Sequence, residues 1–358
     1  MGPTAAPCLA AWSEFQALTR AMGEGGRGLF QITRGGHTTL EHLKGIEQES
    51  GRPVVWAAFF DRPDCPEDTP KILAQTEALR KEGVEVRPQV ACRPLIMDFT
   101  LRNPYPFEGI PAWKPLLARP HSEYAPVYAD EAFRRALKDD LAAGRTAAFR
   151  GDWDQVRVLK AGRTENRGLE GLSISEIAQA QGKHPVDAFF DLSLAEDLET
   201  EYLAGLMNTN EAAVATLITH PDTVIALSDA GAHLSLLCDS GFSSTLLGHW
   251  VREKGTLTLE DAVRRLTSEL ADLYRIPHRG RLQPGHFADV VIFDPATINA
   301  VDPPKRVYDL PEGEPRFVSH ALGVHHAFVN GAHVLRDGIV VEAPPEARRG
   351  KVIREYLS

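Results

Sequence analysis

The stretch VIALSDAGAHLSLLCDS, residues 224–240, sets one carboxylate, Asp229, at the end of a short apolar run. A small-residue turn and His233 follow within four residues. A carboxylate just past a buried strand either caps the next helix or does chemistry, because parallel α/β folds gather their sites at that edge. In the chemical reading it binds a metal ion or accepts the proton of an attacking water. His233 could bind substrate, a metal or the aspartate itself; a hydrogen-bonded structural histidine is the plainer alternative. Arg93 ends a second apolar run, VEVRPQVACRP at 84–94. A guanidinium there can fork a substrate carboxylate, or it can form an ion pair within the protein. Arg34 and His37, after FQIT, hold a comparable and weaker position. Cys92 and Cys238 read as buried thiols, small hydrophobes rather than nucleophiles.

Several classes fall away. Ser240 is not framed by a G-x-S-x-G elbow, and no G-x-x-x-x-G-K-[ST] loop exists, which disfavours serine hydrolases and P-loop NTPases. The net charge of −10 would repel a phosphate backbone, so no nucleic-acid partner is expected. No run of about 18 apolar residues exists, so no membrane span is expected. The four cysteines, at 8, 65, 92 and 238, form neither a Cys-x-x-Cys site nor a disulfide framework, and a reducing, cytoplasmic setting follows as the expectation.

These side chains need elements to carry them. GRGLFQIT, RPVVWAAFF and VEVRPQVACRP read as strands. TTLEHLKGIEQESG and DTPKILAQTEALRKEG read as the helices between them, closed by Gly51 and Gly83. That rhythm predicts a parallel sheet. Residues of about 96–221 interrupt it. The aromatic-rich NPYPFEGIPAWKP and three helical patterns there predict a mostly helical insertion. The rhythm returns with PDTVIALSDAG as a strand and two helices, GFSSTLLGHWVREKG and TLTLEDAVRRLTSELADLYRI. From Gly280 onward short strands take over, with Asn330-Gly331 placed for a two-residue hairpin turn. A boundary near 278 divides the chain into 1–278 and a small β-rich part, 279–358.

Three segments carry a family resemblance. GRLQPGHFADVVIFDP with VHHAFVNGAHVLRDG resembles the C-terminal end of the amidohydrolase superfamily. THPDTVIALSDAGAH, CDSGFSSTLLGHWVRE and SISEIAQAQGKHPVDAFFDL resemble its N-acyl-D-amino-acid deacylase (D-aminoacylase-like) branch. The resemblance implies an α/β fold: a partial TIM-like (β/α) barrel of about the last four strands, with the insertion and part of a C-terminal β-sandwich. It implies zinc as cofactor, with Asp229 as metal ligand and proton shuttle, and a structural role for Asp289. One departure stands out. The family's first barrel strand ends in His-x-His, and none of the thirteen histidines forms that motif. The strand ends offer Thr33-Arg34 and Phe59-Phe60 instead, so the chain corresponds to the C-terminal portion of such an enzyme.

The resemblance therefore predicts hydrolysis of a non-peptide C–N bond in a small N-acyl amino acid or related amide. Asp229 would be the catalytic residue, with Arg93 and His233 binding substrate. Two further readings stay open: a non-catalytic relic or subunit that needs a complementing chain or forms a homo-oligomer, and a hydrolase of cyclic amides such as hydantoins.

Overall fold

The computed structural model describes residues 11–35, 38–62, 65–145, 149–228, 240–301, 304–344 and 350–354. Helix α1 (Trp12–Gly25) precedes strand β1 (Phe30–Thr33), α2 (Leu40–Ser50), β2 (Val54–Phe59), α3 (Asp68–Lys81) and β3 (Val86–Val90). Thr39 starts α2 in a reciprocal cap with His42, and Gly51 ends it in the left-handed conformation. Next come β4 (Leu95–Phe99), α4 (Tyr124–Ala129), α5 (Glu131–Ala142), β5 (Val156–Lys160), α6 (Ile174–Gln181), α7 (Pro185–Ala195) and β6 (Glu201–Met207). Helix α8 (Glu211–Thr219) then leads to β7 (Val224–Ile225).

Strands β1, β2, β3 and β7 pair in parallel and in chain order. Sequential parallel pairing is the arrangement of a barrel arc, whereas a doubly wound sheet reverses its order part-way. One face packs on helices: Val54, Trp56, Val86, Val90 and Ile225 share a core with Leu43 and Ile46 of α2, Leu73 and Leu79 of α3, and Leu217 and Ile218 of α8. On the other face Gln31 of β1 donates to Gln89 of β3 at 3.2 Å, passing over β2. Side chains of alternate strands meet in this way inside (β/α) barrels. Among the described residues the sheet stays open, with β1 and β7 at its edges.

The segment expected to be mostly helical is helical only in part. It holds an antiparallel sheet in the order β4-β6-β5. Its core is separate from that of the parallel sheet and is dominated by aromatics. Phe107, Ile110 and Trp113, from the Pro-rich NPYPFEGIPAWKP, are all fully buried there. Phe107 lies 5.0 Å from Trp113 and 4.8 Å from Phe149, ring centre to ring centre. The prolines set up short 3₁₀ turns that deliver these rings inward. Buried Glu196 pins the lobe's 161–166 loop, accepting from the Gly162 and Arg163 amides, Asn166 Nδ2 and Thr200 Oγ1 at 2.6–3.2 Å.

Two other expectations change. Within PDTVIALSDAG the described residues, 221–228, form regular strand only over Val224–Ile225. Its neighbour β3 stops at Val90, and the next β3-side carbonyl, Ala91 O, accepts from Asn208 Nδ2 instead of from a lengthened β7. The helix after Gly255 is two helices, α10 (Leu259–Leu266) and α11 (Ser268–Leu273), following α9 (Phe242–Thr245). The break falls at Thr267 (φ −129°, ψ −85°), whose hydroxyl donates back to Val263 O at 2.6 Å.

The remaining strands are β8 (Val290–Phe293), β9 (Asn299–Ala300), β10 (Lys305–Val307), β11 (Arg316–Val318), β12 (Ala321–Leu322), β13 (Val324–Val329), β14 (Ala332–Arg336) and β15 (Ile339–Val340). The hairpin β13–β14 turns at Asn330 (φ 49°) and Gly331 (φ 79°), the two positive φ values that its turn type requires. Asp289 accepts from the Asn330 amide at 2.8 Å and pairs with Arg279, so in this structure it anchors the turn.

Candidate active site

The carboxyl ends of β2 and β3 are joined by one side chain. Asn208, just past β6, takes a left-handed conformation (φ 57°) and is 2% exposed. Its Oδ1 accepts from the Asp61 amide at 2.7 Å, and its own amide N–H donates to Asp61 O at 3.1 Å. Its Nδ2 donates to Ala91 O and Arg93 O at 3.1 and 3.3 Å. A side-chain amide is suited to this, having two donors and an acceptor with which to match loose backbone groups. The antiparallel pair β4–β6 brings it back to the place where the lobe begins.

Arg93 stands in that knot. It is 5% exposed. It borders a small cleft with Phe60, Leu95, Leu227 and Ser228, the last two residues being those before Asp229. It also lines a second pocket, with Asn208, Glu211, His249 and Trp250. Its guanidinium packs so closely on Gly241 that a Cβ there would come within 3.2 Å of Nη1 and 2.6 Å of the Ala300 side chain. Gly241 lies eight residues after His233 in the sequence. Asp229 and His233 themselves lie outside the described residues, as do His37 and Cys238.

Arg34 and Cys92, the lesser candidates among the described residues, have partners within the fold. Arg34 lies over the Trp56 ring, 5.2 Å from its centre, and burial holds its guanidinium below the usual arginine range. Cys92 is buried and donates to Phe242 O at 3.2 Å. Asp61, at the end of β2, is 3% exposed and accepts from Thr69 Oγ1 at 3.0 Å.

Among the described residues no group of three or more histidine, cysteine, aspartate or glutamate side chains is placed to hold a metal ion. The end of β1 presents the cation of Arg34, and that of β2 presents Phe59 and Phe60. Catalytic zinc takes three protein ligands at least, and a guanidinium repels a metal cation. The described residues therefore do not fit the zinc site that the family resemblance implies.

Two features escape a reading of the sequence. Asn208 gathers groups up to 147 residues away, a set that no local pattern announces. Residues Leu246–Glu253 form a π-helix rather than an α-helix, a form that recurs at functional sites. It sets His249 between Glu211, 2.8 Å from Nε2, and Glu253, 3.1 Å from Nδ1. LLGHWVRE has ordinary helical spacing, so no signal marked the difference.

The amidohydrolase family model matches residues 98–341, and the chain belongs to that family. It is 31% identical over 193 residues to a D-aminoacylase of Alcaligenes xylosoxydans, covering 51% of this chain and 36% of that one. It is 32% identical over 209 residues to an N-acyl-D-glutamate deacylase of the same organism, covering 57% and 37%. The match thus spans little more than a third of those curated relatives. Among solved structures, an N-acyl-D-glutamate deacylase from Bordetella bronchiseptica, complexed with zinc and a phosphonate inhibitor, superposes with a TM-score of 0.56 at 22% identity. That superposition covers 98% of this chain and 61% of the other. A D-aminoacylase crystal structure gives 0.51 at 22% identity, covering 93% and 58%. The fold is shared with both. No helix among the described residues is long and apolar enough to cross a membrane.

Proposed function

We infer that this chain is an amidohydrolase that cleaves a non-peptide C–N bond in small N-acyl amino acids, in the manner of the deacylases it resembles. The observation that carries the reading is the family match over 98–341, which includes Asp229. In this reading Asp229 takes the proton of the attacking water and returns it to the leaving amine. Arg93, desolvated at the end of β3, forks the substrate carboxylate, and His233 borders the substrate. Zinc enters only through the relatives, with Asp229 as its one named ligand here, and no step above depends on it. A reducing cytoplasmic setting belongs to the same proposal.

A second reading has an observation of its own. The described residues do not fit a zinc site, which favours a non-catalytic subunit that acts with a complementing chain or a second copy. Hydrolysis of N-acetyl-D-amino acids by the purified chain, together with its zinc content, separates the two. Release of free amino acid that Asp229→Asn abolishes, by at least about a hundredfold, supports the hydrolase. Activity surviving that substitution would remove Asp229 from the chemistry. A chain with neither metal nor turnover is the subunit.

A further inference from the structure

Strands β9, β10, β11 and β12 form one two-stranded ribbon over residues 299–322. Its base pairs Ala300 with Ala321, and its arm pairs Arg306 with Phe317. The Val301 amide ties the base together by donating to His320 O at 2.9 Å. The base is fixed to the sheet side of the molecule: Ala300 abuts Gly241, and Gly248 of the π-helix lies so close that a Cβ there would meet Ile298 O. The arm instead reaches the lobe, where Arg306 donates to Asp98 of β4 and Glu201 of β6. Further along the arm Asp309 and Arg316 pair with each other, and Tyr308 is 64% exposed. Directly opposite Arg306, Phe317 is 7% exposed, although it belongs to none of the hydrophobic cores of the described residues. Its ring lies under the Arg306 guanidinium, 4.9 Å away at the centre. The base also lines the pocket of Asn208 and Trp250, a space of about 280 Å³ that has Asn299 and Ala300 on the ribbon and Ile96 on the lobe. Ile96 stands two residues from Asp98, so the clasp at Arg306 holds together the two bodies that wall this pocket.

The clasp is short of positive charge. Two carboxylates share one guanidinium. Glu201 has a second cation nearby, Lys160 of β5 at 3.5 Å, whereas the Asp98 side chain is 8% exposed and its Oδ1 is buried without a hydrogen-bond partner. Tyr308 of β10 completes the titratable groups around Arg306. An ionised Asp98 is therefore a half-satisfied anion out of water, and the neutral acid costs less. We propose that the ribbon arm is a proton-operated strap: it holds the lobe while Asp98 is protonated and lets go when Asp98 ionises, widening the pocket between Ile96 and β9. Burial supports the direction, raising the Asp98 carboxyl to about 7, while the hydrated side chain of a released arm returns to the ordinary range near pH 4. Between about pH 4 and pH 7 the ratio of fastened to released arm thus falls by up to about tenfold per unit.

Hydroxyl-radical footprinting of the intact chain, read by mass spectrometry, tests the strap without any assay of activity. In the wild type, labelling of Phe317 should rise about fivefold or more between pH 5 and pH 8. Over the same range Phe107, in the lobe's core, should stay protected and Tyr308 should stay labelled. Asp98→Asn cannot ionise and should keep Phe317 protected at both pH values. Arg306→Met removes the clasp and should expose Phe317 at both. Phe317 labelling that is flat with pH in the wild type, or that rises equally in Asp98→Asn, overturns the proposal. So does wild-type labelling of Phe107 in step with Phe317, which marks loss of fold rather than release, and so does a Phe317 in Arg306→Met as protected as in the wild type at pH 5. Should Arg306→Met unfold, as labelling of Phe107 in that variant would show, the pH series of the wild type and Asp98→Asn decide alone.

Discussion

Asn208 does for this fold what a longer segment of strand would otherwise do. Three of its side-chain hydrogen bonds go to backbone groups beyond the ends of two strands of the parallel sheet, in a place closed to water. Asn208→Ala strands those groups and also puts a Cβ-bearing residue without a local polar partner at positive φ. The loss should be about 2–4 kcal/mol in urea denaturation, since each buried unmet group costs about 1–3 kcal/mol. A loss below about 1 kcal/mol would show that water satisfies the site. At this scale the sequence was legible wherever chemistry coincides with a strand end. Arg93 stands out because VEVRPQVA is so clearly a strand, and Asp229 because VIAL is so apolar. Asn208 does not stand out: in MNTN it resembles its neighbour Asn210, which is an ordinary helix cap. The difference lies in partners that are distant in sequence.

At the scale of elements, the alternation of β1, α2, β2, α3 and β3 could be read because helix and strand periods differ and Gly51 and Gly83 punctuate them. The strands of the lobe could not. In EYLAGLM the inward Tyr202, Ala204 and Leu206 alternate with Leu203, Gly205 and Met207, none of them charged, so the period of two vanishes from a polarity pattern. The loop held by Glu196 offers a test. Burial alone would raise that carboxyl, but the donors Thr200, Asn166, Gly162 and Arg163 outweigh it and hold the pKa below the usual range. A carboxylate depressed in the folded state stabilises above its unfolded pKa, and that stability is lost as pH falls through the folded value. Glu196→Gln should therefore cost most near neutrality, and the gap to wild type should shrink below about pH 4. A gap that stays constant down to pH 2.5 in denaturant titrations would exclude the charge as its source.

Across the whole molecule, the lobe and the C-terminal strands meet at Arg306 of β10. It donates to Asp98 on β4 and to Glu201 on β6, each at 2.5 Å, and Lys160 lies 3.5 Å from Glu201. Burial pushes the Asp98 carboxyl up to about 7, against the pull of Arg306 and with the push of Glu201. Burial would lower Arg306 too, but the two carboxylates keep it above its usual value, so the proton exchanged by the cluster is Asp98's. The sign follows. The folded chain holds this proton more tightly than the unfolded one, so the contribution of Asp98 to stability is greatest below pH 4 and is lost as pH rises to about 7. Asp98→Asn removes that decline. Relative to wild type it should gain stability from about pH 4 to pH 7 and level off above that, as followed by urea midpoints, and parallel pH profiles would refute the assignment.

The lobe departs from the sheet after Pro94 and returns at Asn208, and its first and last strands pair with each other, Leu95 opposite Met207. Its covalent attachment is thus a single doorway with both jambs side by side, like a panel hung from one post. The post is built from Arg93, Pro94, Asn208 and Thr209, and the panel is latched a second time where Arg306 of β10 holds Asp98 and Glu201. Any swing would change the aperture beside Arg93 first, and the aromatic interior of the lobe would travel with it undisturbed.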